Sequence, residues 1–114
     1  MSKLQEEKTY KGLLYKIYYE ELGCHPVEDN YYCCYIGIPE GHPLYKVYYD
    51  NIENIDTSNL TFSDFSERLG GDLWWIGFNT DPEGSNRHIL KGYKLEDCVK
   101  LTRELIDQIS RKYR

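Results

Sequence analysis

The sequence predicts an α+β domain in which an antiparallel sheet of about four strands packs against one C-terminal helix. Three observations lead to this fold class. Two segments within the first 40 residues alternate between apolar and polar side chains, the segment Leu73–Phe78 is apolar on both faces, and the chain changes to a helical period after Gly92. A chain of 114 residues suffices for one core, so we expect residues 1–114 to form a single domain.

The N-terminal part supplies the first two predicted strands. Residues 1–8 are polar and charged, and we expect a loose segment there. Thr9–Glu20 alternates with a period of two, which predicts a strand whose inner face carries Leu13, Tyr15, Ile17 and Tyr19. Tyr31–Ile38 alternates in the same way, and we expect it to pair antiparallel with the first strand. Its predicted inner face carries Tyr32, Cys34, Ile36 and Ile38.

The other predicted strands lie beyond Pro39, which ends the second strand because proline cannot donate to a ladder. Leu60–Ser63 is predicted to be a short strand. The apolar run Leu73–Phe78 is typical of a central strand that is covered on both faces. Between Glu40 and Asn59 the signal is weaker, and Lys46–Tyr49 fits either a short strand or a single turn.

The C-terminal segment is predicted to be an amphipathic helix that lies across the sheet. Glu96 and Asp97 in its first turn and Arg111 and Lys112 in its last turn complement the helix dipole. The apolar stripe recurs at intervals of three and four residues and consists of Leu95, Cys98, Val99, Thr102, Leu105, Ile106, Ile109 and Tyr113.

Charge and cysteine usage limit the kinds of partner and the cellular compartment that we expect. The formal net charge is −5, and because three basic residues close the chain, residues 1–110 carry −8. Such a chain repels phosphate backbones, so we expect no direct nucleic-acid binding, whereas a basic protein surface would attract it. No segment resembles a signal peptide or a membrane span, so we expect a cytoplasmic protein with reduced thiols. Those thiols are Cys24, Cys33, Cys34 and Cys98.

The patterns of common catalytic and metal sites are missing from the sequence. Cys24 and His25 are adjacent, which makes chelation of one ion awkward, and no Cys-x-x-Cys pair occurs. Cys98 falls on the apolar stripe of the predicted helix, which favours burial over nucleophilic chemistry. The acidic residues lie in polar loops, and no glycine-rich phosphate motif is present. We therefore expect neither an enzyme nor a bound cofactor or metal.

Recognition by aromatic side chains remains as the candidate function. Trp74 and Trp75 are adjacent on a strand and point to opposite faces, so one of them can line a pocket or anchor a partner. The loop that begins at His42 is expected to lie beside that tryptophan. The predicted binding residues are His42, Tyr45, Tyr48, Tyr49, Trp74, Asn79 and Asp81.

Two sequence motifs resemble those of a known family. The string Gly37-Ile-Pro-Glu-Gly-His-Pro-Leu-Tyr45 and the strand Trp74-Trp-Ile-Gly-Phe78 resemble those of a family of small uncharacterised bacteriophage and prophage proteins, over about residues 33 to 110. The family's His-Gly-Gly is replaced here by Thr57-Ser-Asn59, and its Asp and Ala-His after the Trp-Trp strand by Asn79 and Thr80-Asp-Pro82. What survives suits a binding surface, so the resemblance implies a phage accessory protein that acts in the host cytoplasm.

Three functional hypotheses follow. The first is a non-catalytic protein that inhibits a bacterial defence factor, such as a CRISPR effector, by docking an acidic, tyrosine-rich face that includes Tyr18 and Tyr19 onto a basic groove. The second is a binding protein or sponge for a nucleotide-derived signal, with a pocket between the His42–Tyr45 loop and the Trp74–Asn79 strand end. The third is a stabilising subunit of a phage particle or replication complex.

Overall fold

The computed structural model describes residues 2–21, 30–80 and 93–113. Within these residues it contains five strands, one 3₁₀ turn and one α-helix. The predicted α+β arrangement with a C-terminal helix is therefore confirmed, with five strands rather than about four. The elements are β1 (Ser2–Tyr10), β2 (Leu13–Glu20), β3 (Tyr31–Ile38), the 3₁₀ turn Tyr49–Asn51, β4 (Phe62–Phe65), β5 (Trp74–Asn79) and the helix α1 (Leu95–Lys112).

The strands form one antiparallel sheet in the order β1-β2-β3-β5-β4. The last strand of the chain, β5, lies between β3 and β4 and is therefore an interior strand. Its residues Trp74–Phe78 are all buried, as the apolar run predicted. The expected antiparallel pairing of β2 with β3 is also confirmed.

The N-terminal prediction was wrong, because residues 2–8 belong to β1 instead of forming a loose segment. The predicted strand Thr9–Glu20 is broken at Lys11 and Gly12, whose φ angles of 50° and 84° suit a two-residue hairpin turn. A bulge between Leu4 and Glu6 interrupts the register of β1 with β2. Since β1 is exposed on both faces, it carries no apolar alternation that would have revealed it.

The segment before β5 also differs in detail from its prediction. The strand expected at Leu60–Ser63 runs instead from Phe62 to Phe65. Leu60 is buried in the core just ahead of it. In the region Lys46–Tyr49, for which a short strand or a single turn was expected, Lys46 ends a turn and Tyr49 begins the 3₁₀ turn Tyr49–Asn51.

The main core lies between the sheet and α1. Most of the predicted inner faces of β2 and β3 is confirmed, since Leu13, Tyr15, Ile17, Cys34, Ile36 and Ile38 are all buried. The other two residues predicted on these faces, Tyr19 and Tyr32, are half-buried. The stripe of α1 is confirmed as well, and its buried residues are Cys98, Thr102, Leu105, Ile106 and Ile109. Three residues of the long β3–β4 connection belong to the same core: Leu44, Ile52 and Leu60.

The opposite face of the sheet has its own cover, formed by the turn between β4 and β5. The Trp75 ring is fully buried there, and its Nε1 donates to the Gly70 carbonyl at 2.9 Å. The Lys16 ammonium lies 5.7 Å from the centre of that ring and donates to the Leu69 carbonyl at 2.8 Å. These bonds hold the turn against the outer face, so that β5 is covered on both sides.

Candidate functional site

Four aromatic side chains meet at one end of the sheet, and we call Tyr45, Tyr48, Phe65 and Trp74 the aromatic cluster. The Trp74 ring is the centre of it. Its centroid lies 5.1 Å from that of Phe65 and 5.6 Å from that of Tyr48, both in edge-to-face geometry. Tyr45 extends the cluster through a 5.7 Å edge-to-face contact with Phe65. Such pairs add about 0.5–1.5 kcal/mol each beyond the area that they bury.

The sheet register and one loop bring these rings together. Phe65 lies directly opposite Trp74 in the β4–β5 pairing, so both rings lie on the same face. Ile38 at the end of β3 is also a partner of Trp74, which places the start of the long loop beside the tryptophan. Trp74 Nε1 donates to the Val47 carbonyl at 2.9 Å and so fixes the loop between Tyr45 and Tyr48.

The loop is held by its own backbone and by one buried anchor. The N–H groups of His42, Tyr45 and Val47 each donate to the carbonyl three residues earlier, at 3.0–3.1 Å. Leu44 is buried among these turns and packs into the core. Consecutive turns of this kind leave the loop few alternative conformations, so the aromatic cluster is preorganised.

The cluster has a buried base and an exposed rim. Trp74 is only 4% exposed, whereas Tyr48 is 57% and Phe65 is 39% exposed. The segment that contains Tyr45, Tyr48 and Phe65 is mostly negative: residues 39–65 contain five carboxylates and one lysine. All five carboxylates are exposed, and they belong to Glu40, Asp50, Glu53, Asp56 and Asp64. The segment that carries the exposed rings is therefore acidic, and Glu53 and Asp56 in it contact the C-terminal half of α1 and Tyr113 through their backbones.

His42 lies in the same loop but faces a different region. Its Nδ1 accepts the Leu44 N–H at 3.0 Å, and burial lowers the pKa of the imidazole. The side chain lines a cavity of about 480 Å³ between the β1–β2 turn, the loop and the C-terminal end of α1. The other lining residues are Lys11, Gly12, Leu13, Pro39, Ser110, Arg111 and Tyr113.

The structure brings together only some of the predicted binding residues. Tyr45, Tyr48 and Trp74 belong to the aromatic cluster, while Tyr49 packs against the core and its N–H donates to Ser63 Oγ at 3.2 Å. Asn79 closes the other end of β5, about 17 Å from Trp74, and five residues of strand put it on the opposite face. Asn79 therefore lies away from the His42–Tyr45 loop, at the opposite end of the strand. Asp81 lies outside the described residues.

The expected single tyrosine-rich face is also divided. Tyr18 lies on the outer face, where its ring centre is 6.1 Å from the ring centre of Tyr35 and 4.8 Å from Cζ of the Arg68 guanidinium. Tyr19 lies on the helix side and contacts Tyr32 at 4.9 Å. Neither residue belongs to the aromatic cluster. Of the tyrosines expected on the binding face, Tyr48 is the exposed one within the cluster.

Phe65 is not among the predicted binding residues, because the sequence suggested a helical turn at Phe65–Leu69, whereas Phe65 ends β4. The strand runs two residues beyond its predicted end at Ser63, and this extension gives Phe65 the same face as Ser63. The register against Trp74 depends on strand order, however, and the sequence alone did not give it. Phe65 is nonetheless a central contact of the site.

The thiols that the structure describes sit in or near the core. Cys34 and Cys98 are buried, and Cys33 is half-buried. Burial raises the pKa of the Cys34 thiol well above its usual value, and the neighbouring Cys98 adds to this effect. A protonated, inaccessible thiol is a poor nucleophile. In residues 2–21, 30–80 and 93–113, no three His, Cys, Asp or Glu side chains converge to hold a metal ion.

Comparison of the chain with protein-family models, with curated proteins and with solved structures finds no match in any of the three. Among the described residues, no helix has both the length and the apolar character that crossing a bilayer requires.

Proposed function

We propose that this chain is a non-catalytic binding protein whose aromatic cluster anchors a protein partner with a basic surface. One observation carries the proposal: Tyr48 and Phe65 are exposed, yet both are packed against the buried Trp74. Exposed aromatic rings that are already fixed lose little conformational entropy on binding, and such side chains dominate the binding energy of many interfaces.

The charge around the cluster supports a basic partner. The exposed carboxylates of residues 39–65 outnumber the single lysine, Lys46, which lies 5.9 Å from the centre of the Tyr45 ring. Carboxylates at the rim of an interface mainly accelerate the encounter with a positively charged partner, while buried aromatic anchors slow its dissociation. Complex formation should therefore weaken as salt is added.

The resemblance to phage and prophage proteins supports a specific partner class. A phage accessory protein without a catalytic site commonly acts by occluding a host factor. We propose that the partner is a bacterial defence factor with a basic nucleic-acid-binding groove, such as a CRISPR effector, and that the complex forms in the host cytoplasm. In this reading the acidic surface competes with nucleic acid for the same groove.

Affinity capture from bacterial lysate tests this proposal when three proteins are compared. The parent chain should retain a host protein at low salt and release it at high salt. A Tyr48→Ala and Phe65→Ser double variant should lose the captured protein, because it lacks both exposed rings. The matched control is Leu4→Ala, which removes an exposed apolar side chain, 48% exposed, from the strand at the far edge of the sheet.

The same capture experiment can contradict the proposed contact. Circular dichroism must first show that all three proteins are folded. Recovery of no host protein at any salt concentration, or equal recovery by the parent and the double variant, would contradict the proposed contact. With a captured partner in hand, Asp50→Asn together with Asp64→Asn should lower the association rate more than it raises the dissociation rate.

The alternative function, a small-molecule binding protein, is favoured by one feature. The cavity beside His42 has a volume of about 480 Å³, within the range of about 300–1,000 Å³ that is usual for ligand sites. It shares no residue with the aromatic cluster. Loss of the protein contact would therefore leave this alternative intact.

A further inference from the structure

The cavity beside His42 is built by three separate parts of the chain. The β1–β2 turn contributes Lys11 and Gly12, the start of the long loop contributes Pro39 and His42, and the last turn of α1 contributes Arg111. Residues far apart in sequence thus converge on one concave surface. The charges of these residues decide what kind of molecule the cavity can hold.

The residues that line this cavity carry more positive than negative charge, although the whole chain is acidic. The Lys11 ammonium pairs with the Asp107 carboxylate at 2.6 Å, and that carboxylate also accepts the Tyr10 hydroxyl at 3.0 Å. The Asp107 carboxylate is therefore matched by Lys11. Arg111 has no ion-pair partner within the described residues, so its guanidinium remains available to an anion. Arginine binds phosphate oxygens with two parallel N–H donors.

Lys11 occupies a position that costs backbone energy. Its φ of 50° lies in the left-handed region, where two-residue hairpin turns usually carry Asn or Gly. A long basic side chain gains nothing from that conformation itself. Its ammonium links the hairpin turn to α1 through Asp107, and strained positions of this kind are frequently found at ligand sites.

His42 adds a neutral donor. Because Nδ1 accepts the Leu44 N–H, the imidazole proton is assigned to Nε2. Within the described residues this second nitrogen has no hydrogen-bond partner, and the side chain lines the cavity. The cavity thus offers an ammonium, a guanidinium and an imidazole N–H, which is a set of donors that phosphate oxygens accept.

The rest of the wall is mostly apolar and also includes Ser110. Leu13 and Pro39 line one side, and Tyr113 presents its ring because its hydroxyl already donates to the Glu53 carbonyl. Apolar walls beside a few polar groups are the usual design of a site for an organic molecule. An inorganic anion alone would leave these walls uncovered.

We propose that this cavity binds a small phosphorylated organic molecule of about the size of a nucleoside monophosphate, with the phosphate held by Arg111, Lys11 and His42. The site gives the small-molecule alternative a definite place, which differs from the loop–strand pocket that the sequence suggested. It does not depend on the proposed protein contact, because the two surfaces share no residue.

Titrations followed by nuclear magnetic resonance of the backbone amides test this site. The probes are adenosine monophosphate, ribose 5-phosphate and phenyl phosphate, each compared with inorganic phosphate at constant ionic strength. At least one organic phosphate should produce saturable shifts at Lys11, Gly12, His42 and Arg111, and it should bind more tightly than inorganic phosphate. No saturable shift from any organic phosphate up to about 10 mM, or binding no tighter than that of inorganic phosphate, overturns the proposal.

Three variants and one control locate the site. Arg111→Gln and Lys11→Asn should each weaken the binding of the best probe about tenfold, the usual effect of losing one charge-assisted contact. Lys11→Asn keeps the fold because Asn favours this turn. His42→Asn keeps an acceptor for the Leu44 N–H but removes the Nε2 donor, and it should also weaken binding. The control Lys112→Gln changes the net charge equally at an exposed position outside the cavity and should change the affinity less than twofold.

An effect of Lys112→Gln as large as that of Arg111→Gln would show that the probe is attracted by the overall positive charge of this region and not by a specific contact. The proposed site would then be refuted. Unchanged affinity in both the Lys11 and the Arg111 variant would refute it as well. Failure of the host-protein capture would leave these titrations unaffected, so the two proposals can be judged separately.

Discussion

Trp75 lies directly opposite Gly37 on the neighbouring strand, and its indole ring covers the space where a Gly37 side chain would stand. A Cβ at Gly37 would meet the Trp75 ring at 3.0 Å and Leu73 Cδ1 at 2.7 Å. Two residues along the ladder the arrangement is reversed, because the Tyr35 ring lies over Gly77. Each strand thus supplies a glycine on which an aromatic ring of the other strand rests.

The first prediction concerns this contact. Gly37→Ala should lower the free energy of unfolding by about 1–3 kcal/mol, since the fully buried Trp75 ring must shift to admit a methyl group. Gly71→Ala is the matched control, because its Cβ would have only ordinary contacts with the exposed Glu67 side chain. It should change stability by no more than about 0.5 kcal/mol. Urea unfolding measures both, and equal effects would disprove the ring-on-glycine contact.

The second prediction ranks the two glycines. A Cβ at Gly77 would stand 2.6 Å from the Cys34 carbonyl oxygen and 2.8 Å from the Tyr35 ring. The backbone atom belongs to the β3–β5 ladder and cannot move without disturbing it. Gly77→Ala should therefore destabilise the protein more than Gly37→Ala does. The same urea titrations decide this, and the reverse order would contradict the packing described.

The parts of the fold that the sequence predicted are those with a clear period. Ile36 and Cys98 were correctly placed in the core because strand and helix patterns repeat over many residues. β1 was missed for the opposite reason: it is a polar edge strand, exposed on both faces, and so its side chains need not alternate. Its pairing depends on the turn at Lys11 and Gly12, which is not one of the commonest turn sequences.

The site was predictable only in part. Tyr45, Tyr48 and Trp74 attracted attention by residue type, and the structure does bring them together. Asn79 was grouped with them because it follows the predicted strand Leu73–Phe78. In the structure Trp74 and Asn79 stand at opposite ends of β5 and on opposite faces, so Asn79 does not reach the cluster. The role of Arg111 could not be found from sequence, since a basic residue in the last helical turn is ordinary. Only tertiary structure places it beside His42.

The third prediction separates the base of the aromatic cluster from its rim. Trp74→Ala should cost about 3–5 kcal/mol of stability, because it empties a buried site and leaves the Val47 carbonyl without its donor. Tyr48→Ala should cost about 0.5 kcal/mol, since its ring is largely exposed. Thermal and urea unfolding check these values. A large loss for Tyr48→Ala would mean that this ring serves the fold rather than a partner.

The fourth prediction concerns the thiols. Cys34 and Cys98 should react with iodoacetamide only when the protein opens, at least about a hundredfold more slowly than in denaturant, because both are buried. Cys33 is half-buried and should react sooner. Peptide mass spectrometry after timed labelling distinguishes the three sites. Early labelling of Cys98 would show that the core between β3 and α1 is open in solution.

The fifth prediction follows from the lowered pKa of His42, which burial causes. The unfolded chain holds this proton more tightly than the folded chain, so stability should fall as the pH drops through the unfolded value of about 6.5 toward the lower folded value. Protonation would also bring a third positive charge to a cavity that already contains Lys11 and Arg111. In His42→Asn, which preserves an acceptor for the Leu44 N–H, the decline in stability between about pH 7.5 and pH 5.5 should be smaller. Urea unfolding of both proteins at the two pH values measures the difference. Equal declines would show that His42 does not titrate with folding, and a parent protein that gains stability at the lower pH would reverse the predicted sign.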